Sequence, residues 1–306
     1  MKKQFIVLFS LLSITIGASA QKEYKLNKSS GKLNLYVPGA VVEGYNGNEI
    51  IFSLPKRTGE IEDERAKGLR MITASGFVDN TGLGLDVSEK GSEINVNAVN
   101  KSLDGVLTIK VPQNVKVFFE NKSNMYQDQI ILKNLKSEIE ISTSYNAIKL
   151  ENNTGPMNVK TLFGGIDATF DGAITGPVSI VSVYGIVDVA LPSATKANVE
   201  LFTSYGKLYA ADALKIVIDK SAEKEKPEQI TIVNTARNAT DEALAVAGVK
   251  LNSGNATRGT TNVTIKGVGL AAYGGRSSEE IKGTLNGGGA NLILKSSYSN
   301  VYLRTK

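Results

Sequence analysis

Short runs of alternating apolar and polar residues recur along the chain, and each is followed by an aromatic residue and then a small turn residue. The copies are TSYNAIKL from Thr143, TLFGGIDA from Thr161, SVYGIVDV from Ser182, TSYGKLYA from Thr203 and SSYSNVYL from Ser296. Within a copy the apolar residues lie two positions apart, which is typical of β-strands with one buried face. The pattern therefore predicts an all-β fold.

Aligning the copies on the aromatic residue produces columns of like residues. The aromatic residues are Tyr145, Phe163, Tyr184, Tyr205 and Tyr298, and the first four are 18, 21 and 21 residues apart. The positions four and six before the ring, and three and five after it, are apolar in every copy. The position two before the ring is always a small hydroxyl residue: Thr143, Thr161, Ser182, Thr203 and Ser296. Columns of this kind predict that equivalent residues of the copies lie above one another in the fold.

The period inside a copy shifts at the aromatic residue, so the chain is expected to turn a corner there. Repeats of strand, corner and strand predict a parallel β-solenoid with stacked coils of about 18 to 21 residues, neighbouring coils lying about 4.8 Å apart. We expect the aromatic residues to form a structural ladder that shields the end of the core, and the hydroxyls to bind backbone groups at the bend. The Gly or Asn after the first four rings is expected to tolerate the positive φ of a sharp corner; these residues are Asn146, Gly164, Gly185 and Gly206.

An alternative places the rings outward, where they would stack on sugars. The rings share parity with the buried position four residues earlier, which favours the structural ladder.

The chain begins with Lys2 and Lys3, an apolar run from Phe5 to Ile16 and small residues at 18–20. These features predict a signal peptide over 1–20, because the run is too short for a membrane anchor. Residues 21–306 are predicted to form one domain, with regular coils at 136–211, an irregular insertion at about 212–285 and closing strands at 286–306 that cap the solenoid. The units GKLNLYVPGAVVEG and GVLTIKVPQNVKVFF predict earlier, less regular coils.

The composition narrows the location and the partners. The 306 residues are 42% apolar, contain neither cysteine nor histidine and carry a formal charge of +5 with mixed signs along the chain. Mixed charge argues against a nucleic-acid partner. Because the sequence has no second long apolar run, we predict no membrane span in the mature chain. Without cysteine there is no disulfide framework and no lipoprotein anchor. The prediction is an exported protein, in the periplasm or at the cell surface.

The unit LTIKVP from Leu107, the Ser or Thr then Tyr-Gly or Tyr-Asn turns, and the Gly-rich approach at Gly287 to Gly289 carry a resemblance. In these residues the chain resembles the bacterial putative-adhesin family of exported β-strand-repeat proteins, with a Bacteroidetes-like character. The resemblance covers 105–211 best, 31–54 loosely, and the final 20 residues. It implies the fold and an adhesin-like role, and it implies no catalytic residue.

Candidate chemistry is sparse. Without histidine and cysteine, histidine- or cysteine-based catalytic triads and ordinary zinc sites cannot form, and we predict no catalytic, cofactor or metal residues. The outward position four after the ring contains Lys149, Asp167 and Asp188, which are candidates for a ligand or cation site. In the simpler interpretation, Lys149 neutralises Asp167 in a surface ladder and Asp188 is solvated.

Two functions follow from these patterns. The first is a non-enzymatic exported β-solenoid that acts as an adhesin-like scaffold or binding module at the cell envelope, with a surface glycan or an envelope protein as partner. The alternative is a carbohydrate-active β-helix enzyme, a polysaccharide lyase or hydrolase, that uses the two aspartates.

Overall fold

The computed structural model describes residues 21–55, 64–99, 102–103, 105–219 and 278–306. The predicted signal peptide and the middle of the predicted insertion, 220–277, lie outside the described residues. The strands are β1 (Gln21–Leu26), β2 (Ser30–Tyr36), β3 (Ala40–Tyr45), β4 (Ile50–Pro55), β5 (Leu85–Lys90), β6 (Glu93–Ala98), β7 (Thr108–Pro112), β8 (Asn114–Asn121), β9 (Ile130–Lys133), β10 (Ile139–Thr143), β11 (Ile148–Glu151), β12 (Met157–Thr161), β13 (Ile166–Thr169), β14 (Val178–Ser182), β15 (Val187–Leu191), β16 (Ala197–Thr203), β17 (Leu208–Ala210), β18 (Val217–Ile218), β19 (Glu279–Leu285), β20 (Ala290–Ser296) and β21 (Val301–Thr305). Short 3-10 helices span Glu64–Ala66 and Asp212–Leu214.

The strands form two large mixed sheets, as the alternating pattern predicts for an all-β protein. The ten-stranded sheet has the order β1-β4-β7-β3-β9-β11-β13-β15-β21-β17. The eleven-stranded sheet has the order β18-β19-β16-β20-β14-β12-β10-β8-β2-β6-β5. Strands that follow each other in the repeats, such as β10 and β11, occupy matching places in the two sheets.

The repeats pair in parallel and in register. Ile139 pairs with Met157 in the eleven-stranded sheet, and Ile148 pairs with Ile166 in the ten-stranded sheet. Other pairs are antiparallel: β1 with β4, β4 with β7, β5 with β6, β16 with β19, and β18 with β19. The sheets are therefore mixed, because the strands at their ends lie outside the repeat columns and are joined by other connections.

The pair β20–β21 does not cap the repeats, which corrects that expectation. β20 pairs in parallel with both β14 and β16, and β21 pairs with both β15 and β17. The fifth copy therefore lies between the third and the fourth. Its columns match those of every other copy, so the apolar pattern alone does not specify its neighbours.

The two Val-Pro units are also not equivalent. The first runs from β2 in the eleven-stranded sheet to β3 in the ten-stranded sheet, whereas the second runs from β7 in the ten-stranded sheet to β8 in the eleven-stranded one. As a result Leu33 pairs with Val117, and not with a residue of the similar LTIKVP unit. Alternation of apolar residues is the same in both sheets, so the pattern does not reveal which sheet a strand joins.

The core lies between the two sheets and contains the predicted apolar columns. The position four before the ring is 0–1% exposed in all copies: Ile141, Val159, Ile180, Leu201 and Leu294. This confirms the predicted facing of those strands. In the columns three and five after the ring, the members of the fourth copy are less buried. Leu208 is half-buried and Ala210 is exposed, because both belong to β17 at the end of the ten-stranded sheet.

The chain crosses between the sheets on two opposite sides. We call one side the aromatic corner, comprising 144–147, 162–165, 183–186, 204–207 and 297–300. We call the other side the link corner, comprising Gln113 and residues 134–138, 152–156, 170–177 and 192–196. The candidate sites are positioned by these two corners.

Candidate functional site

Five aromatic side chains form one continuous stack along the aromatic corner. In spatial order this ring row contains Tyr145, Phe163, Tyr184, Tyr298 and Tyr205. Neighbouring ring centroids are 4.6, 4.8, 4.7 and 5.0 Å apart, and the ring planes differ by 4–16°. The spacing follows the distance between paired strands, so the register of the sheets sets the geometry of the row.

The ring row lies at the surface, which corrects the expectation that the rings share the buried face of the strand before them. Its members are 38–51% exposed, with Tyr145 the least and Tyr298 the most exposed. The hydroxyl residue two before each ring points into the interior, as the fully buried Ser182 shows. The chain bends immediately after it, so the alternation of the strand does not extend to the ring.

The hydroxyl column closes this corner by the same two hydrogen bonds in several copies. The Ser182 Oγ accepts a bond from Gly185 N–H at 2.8 Å and donates to the Gly164 carbonyl of the neighbouring copy at 2.8 Å. Thr203 accepts from Gly206 at 2.9 Å and donates to Ser299 at 2.9 Å. The hydroxyl therefore satisfies one backbone group of its own bend and one of the next copy.

The glycine after the ring serves a different purpose from the one expected. Gly164 and Gly185 are not among the residues with positive φ. A Cβ at Gly185 would lie 2.0 Å from the Gly164 carbonyl oxygen, and a Cβ at Gly164 would lie 1.9 Å from that of Asn146. Glycine is needed because adjacent bends approach too closely for a side chain.

The stack determines what the ring row can present to a ligand. Sugars stack on the faces of aromatic rings, but most faces here are covered by the neighbouring ring. The exposed parts are ring edges and the hydroxyl groups of the tyrosines. The ring row is thus a rigid, narrow strip with an apolar body and polar tips.

The candidate ligand residues lie on the outer face of the ten-stranded sheet. Lys149 pairs in register with Asp167, Asp167 with Asp188, and Asp188 with Tyr302. Lys149 forms its ion pair with Glu151, 2.6 Å away, instead of with Asp167. Arg304 Nε donates to both carboxylate oxygens of Asp188, at 2.7 and 2.9 Å, so Asp188 is not simply solvated.

Sequence reasoning did not predict Arg304 as a partner of Asp188. Arg304 belongs to β21, which reaches Asp188 only because β20–β21 lies between the third and fourth copies. Its guanidinium also lies 5.0 Å from the Tyr302 ring, which stacks on Tyr209 at 5.1 Å. The outward column that contains Asp167 and Asp188 therefore ends in a stack of the Arg304 guanidinium and the rings of Tyr302 and Tyr209.

The two aspartates differ in their surroundings. Burial and the neighbouring Asp188 carboxylate raise the pKa of Asp167, while Lys149 and Arg304 act in the opposite direction. Asp167 therefore retains a proton to higher pH than an ordinary carboxyl group. Among the described residues, no three acidic side chains gather as a metal site would require.

Two surface clefts lie along the link corner. One has a volume of about 320 Å³ and lies beside Gln113, between the ends of β3 and β7 and the starts of β2 and β8. The other, of about 290 Å³, lies beside Asn153, Phe170 and Asp171. Neither was predicted, because their residues lie outside the repeat columns; the asparagine-rich turn YNGNE was the available signal.

Comparison with known proteins adds little. No protein-family model matches the chain, and no curated protein matches it. One solved structure that it resembles is that of a putative cell adhesion protein from Clostridium sporogenes ATCC 15579, with 11% identity, a TM-score of 0.39 and coverage of 94% of this chain and 100% of that one. A TM-score of this size transfers neither fold nor function. Within the described ranges, no helix has the length and hydropathy to cross a membrane.

Proposed function

We propose that the protein is an exported, non-enzymatic β-solenoid that acts as an adhesin-like binding module at the cell envelope. The observation that carries this proposal is the exposed ring row, a strip of five aromatic side chains at the surface. Exposed apolar strips of this kind mark interaction surfaces, and tyrosine is enriched where proteins bind partners. The partner is an extended envelope component, a glycan chain or a protein segment, that lies along the strip.

The rigidity of the ring row supports a binding role. Each ring is already held by its neighbours at 4.6–5.0 Å, so a partner would not have to immobilise the side chains on binding. Tyrosine hydroxyl groups at the tips of the strip supply hydrogen bonds to polar groups of a partner. A preorganised strip of this composition suits recognition of a long surface better than enclosure of a small molecule.

The test is to measure binding of the protein to isolated cell envelope and to a glycan array, together with a reducing-sugar release assay. The double variant Phe163→Thr/Tyr184→Thr interrupts the ring row, and Tyr209→Thr is the control at an exposed ring on the ten-stranded sheet, outside the ring row. We expect envelope binding to fall at least tenfold in the double variant and to persist in the control. Equal binding by the wild type and a folded double variant would contradict the proposal.

The second candidate, a carbohydrate-active enzyme, is favoured by one observation. Asp167 has a raised pKa, as the acid of a glycosidase does, and a second carboxyl group, that of Asp188, lies beside it in register. However, the bonds from Arg304 occupy both oxygens of Asp188 and weaken it as a nucleophile. Release of reducing sugar by the wild type, lost in Asp167→Asn, would establish this candidate instead.

A further inference from the structure

The larger cleft of the link corner is built almost entirely from uncharged hydrogen-bonding side chains. We call it the amide cleft, and its polar wall consists of Ser29, Asn46, Asn48, Gln113 and Asn114. Tyr45 and Pro112 supply the apolar part of the wall. At about 320 Å³ it is within the range of small-ligand sites, about 300 to 1,000 Å³.

The cleft is preorganised by its own backbone contacts. The Tyr45 hydroxyl donates to the Glu49 carbonyl at 2.6 Å, which fixes the turn at 46–49 around the ring. A Cβ at Gly47 would lie 2.2 Å from that ring, so the turn packs directly on it. On the opposite wall, Ser137 Oγ donates to the Gln113 carbonyl at 2.6 Å. Both walls are therefore held in place without a ligand.

The hydrogen-bonding capacity of the wall is partly unused. Gln113 Nε2 donates to the Asn134 carbonyl at 3.2 Å and its Oε1 is buried, so Gln113 supports the wall and the exposed amides are the ones open to a ligand. Asn46, Asn48 and Asn114 are exposed. Each amide offers both a donor and an acceptor, which matches a ligand whose hydroxyl groups both donate and accept.

The charges near the cleft argue against an ionic ligand. Lys28 beside Ser29 is paired with Glu89 at 2.7 Å, and Lys116 is paired with Glu138 at 2.9 Å. None of the residues that line the cleft is charged. A charged ligand would lose its hydration without gaining a counter-ion, whereas a neutral polyhydroxyl ligand would not.

From this chemistry we infer that the amide cleft binds one uncharged sugar unit of a glycan. The inference rests on the proposed binding function and assigns to it a ligand class and a second contact, away from the ring row. Amide groups would bond the sugar hydroxyls, and Tyr45 and Pro112 would contact the apolar C–H groups of the ring.

The experiment titrates the full protein with cellohexaose, mannohexaose and chitohexaose, and with hexagalacturonate as the acidic comparison. Asn114→Asp places a charge in the cleft at an exposed position, and Asn124→Asp makes the same change at an exposed position outside it. We expect at least one neutral oligosaccharide to bind, at least tenfold more weakly in Asn114→Asp and unchanged in Asn124→Asp. Lack of binding by all three, preference for the acidic one, or equal binding in both variants would overturn the inference.

Envelope binding measured on the same samples separates the two proposals. If the envelope is bound but no neutral oligosaccharide is, the amide cleft inference fails and the ring row proposal stands. If neutral oligosaccharides bind as expected but the double variant of the ring row still binds the envelope fully, the ring row proposal fails alone.

Discussion

The aromatic corner and the link corner join the same two sheets, yet they are built in different ways. At the aromatic corner the same ring, hydroxyl and small bend residue recur, and each copy bonds to the next. At the link corner the connections vary in length and are held by individual contacts, such as the buried Asn153, whose side chain bonds the backbone of Leu132 and Leu135. The repeated corner leaves no space between copies, whereas the variable corner leaves clefts.

This difference suggests that the two corners have separate roles in binding. A corner with one fixed contact set can be extended copy by copy, and it yields a uniform strip. A corner with variable links can place amides and aromatic residues around a pocket. Substitutions that affect one corner and leave the other unchanged would test whether the roles are separate.

The largest effect is expected at the core that both corners share. Ile180 is fully buried on β14, so Ile180→Asp would place an unpaired charge in the interior at a cost of several kcal/mol. Thermal unfolding should show loss of the cooperative transition, and both binding activities should disappear with it. An unchanged melting temperature would show that Ile180 does not face the core.

The next effect compares one glycine at each corner. Gly185→Ala should cost about 3 kcal/mol or more, because the new Cβ would meet the Gly164 carbonyl oxygen at 2.0 Å and force the copies apart. Gly172→Ala at the link corner is the control, since its Cβ would meet nothing within 4 Å. Urea unfolding of both variants measures the difference. Similar stabilities would mean that the aromatic corner can relax as readily as the link corner.

A smaller effect concerns the hydroxyl column. Ser182→Ala leaves the Gly185 N–H and the Gly164 carbonyl without their partner, at a cost of about 2 to 3 kcal/mol. Ser182→Thr should restore most of this stability, because Thr203 makes equivalent bonds in another copy. If the threonine variant is as unstable as the alanine variant, the loss comes from packing and not from hydrogen bonding.

The smallest effects, with opposite signs, are expected in the aspartate column. The pKa of Asp167 is raised in the folded state, so its contribution to stability falls as pH rises from its ordinary value of 3.8 through the raised value. Asp167→Asn should therefore melt slightly higher than the wild type at neutral pH, by about 2 °C or less, and lose this pH dependence.

Asp188→Asn is the matched change, because it removes the negative charge and one of the two oxygens that accept from Arg304, and it should melt slightly lower. Melting curves with and without calcium complete the test. A higher melting temperature for both variants would show that the two carboxylates simply repel each other, and a calcium shift abolished by Asp188→Asn would indicate a cation site.

The sequence predicted well what depends on one residue and its immediate neighbours in a strand. The columns at Ile141 and Ile148 identified the buried faces, because alternation is imposed by the backbone itself. The direction of Tyr184 could not be predicted by extending that alternation, since the bend before the ring interrupts it. The pairing of Asp188 with Arg304 depends on the order of copies, which identical columns leave undetermined.

The candidate sites were harder to predict for a related reason. Asp167 and Asp188 stood out because the repeat placed them in one column. Gln113 and Asn114 belong to no column, and they meet Asn46 and Asn48 only because β3 and β7 pair in parallel and end side by side at the link corner. Sites assembled from non-repeating segments leave no periodic signal in the chain.

The position of β20–β21 between earlier copies has a consequence for synthesis. Residues 197–210 leave the ribosome well before residues 290–305, and their apolar columns fit β14–β15 as well as they fit β20–β21. The nascent chain can therefore dock β16–β17 directly on β14–β15, and the later pair must displace that contact to reach its place. Such exchange over long sequence separation slows folding. The bonds of Arg304 to Asp188, and of Lys295 to Glu200, form only in the final order and therefore stabilise it relative to the earlier docking.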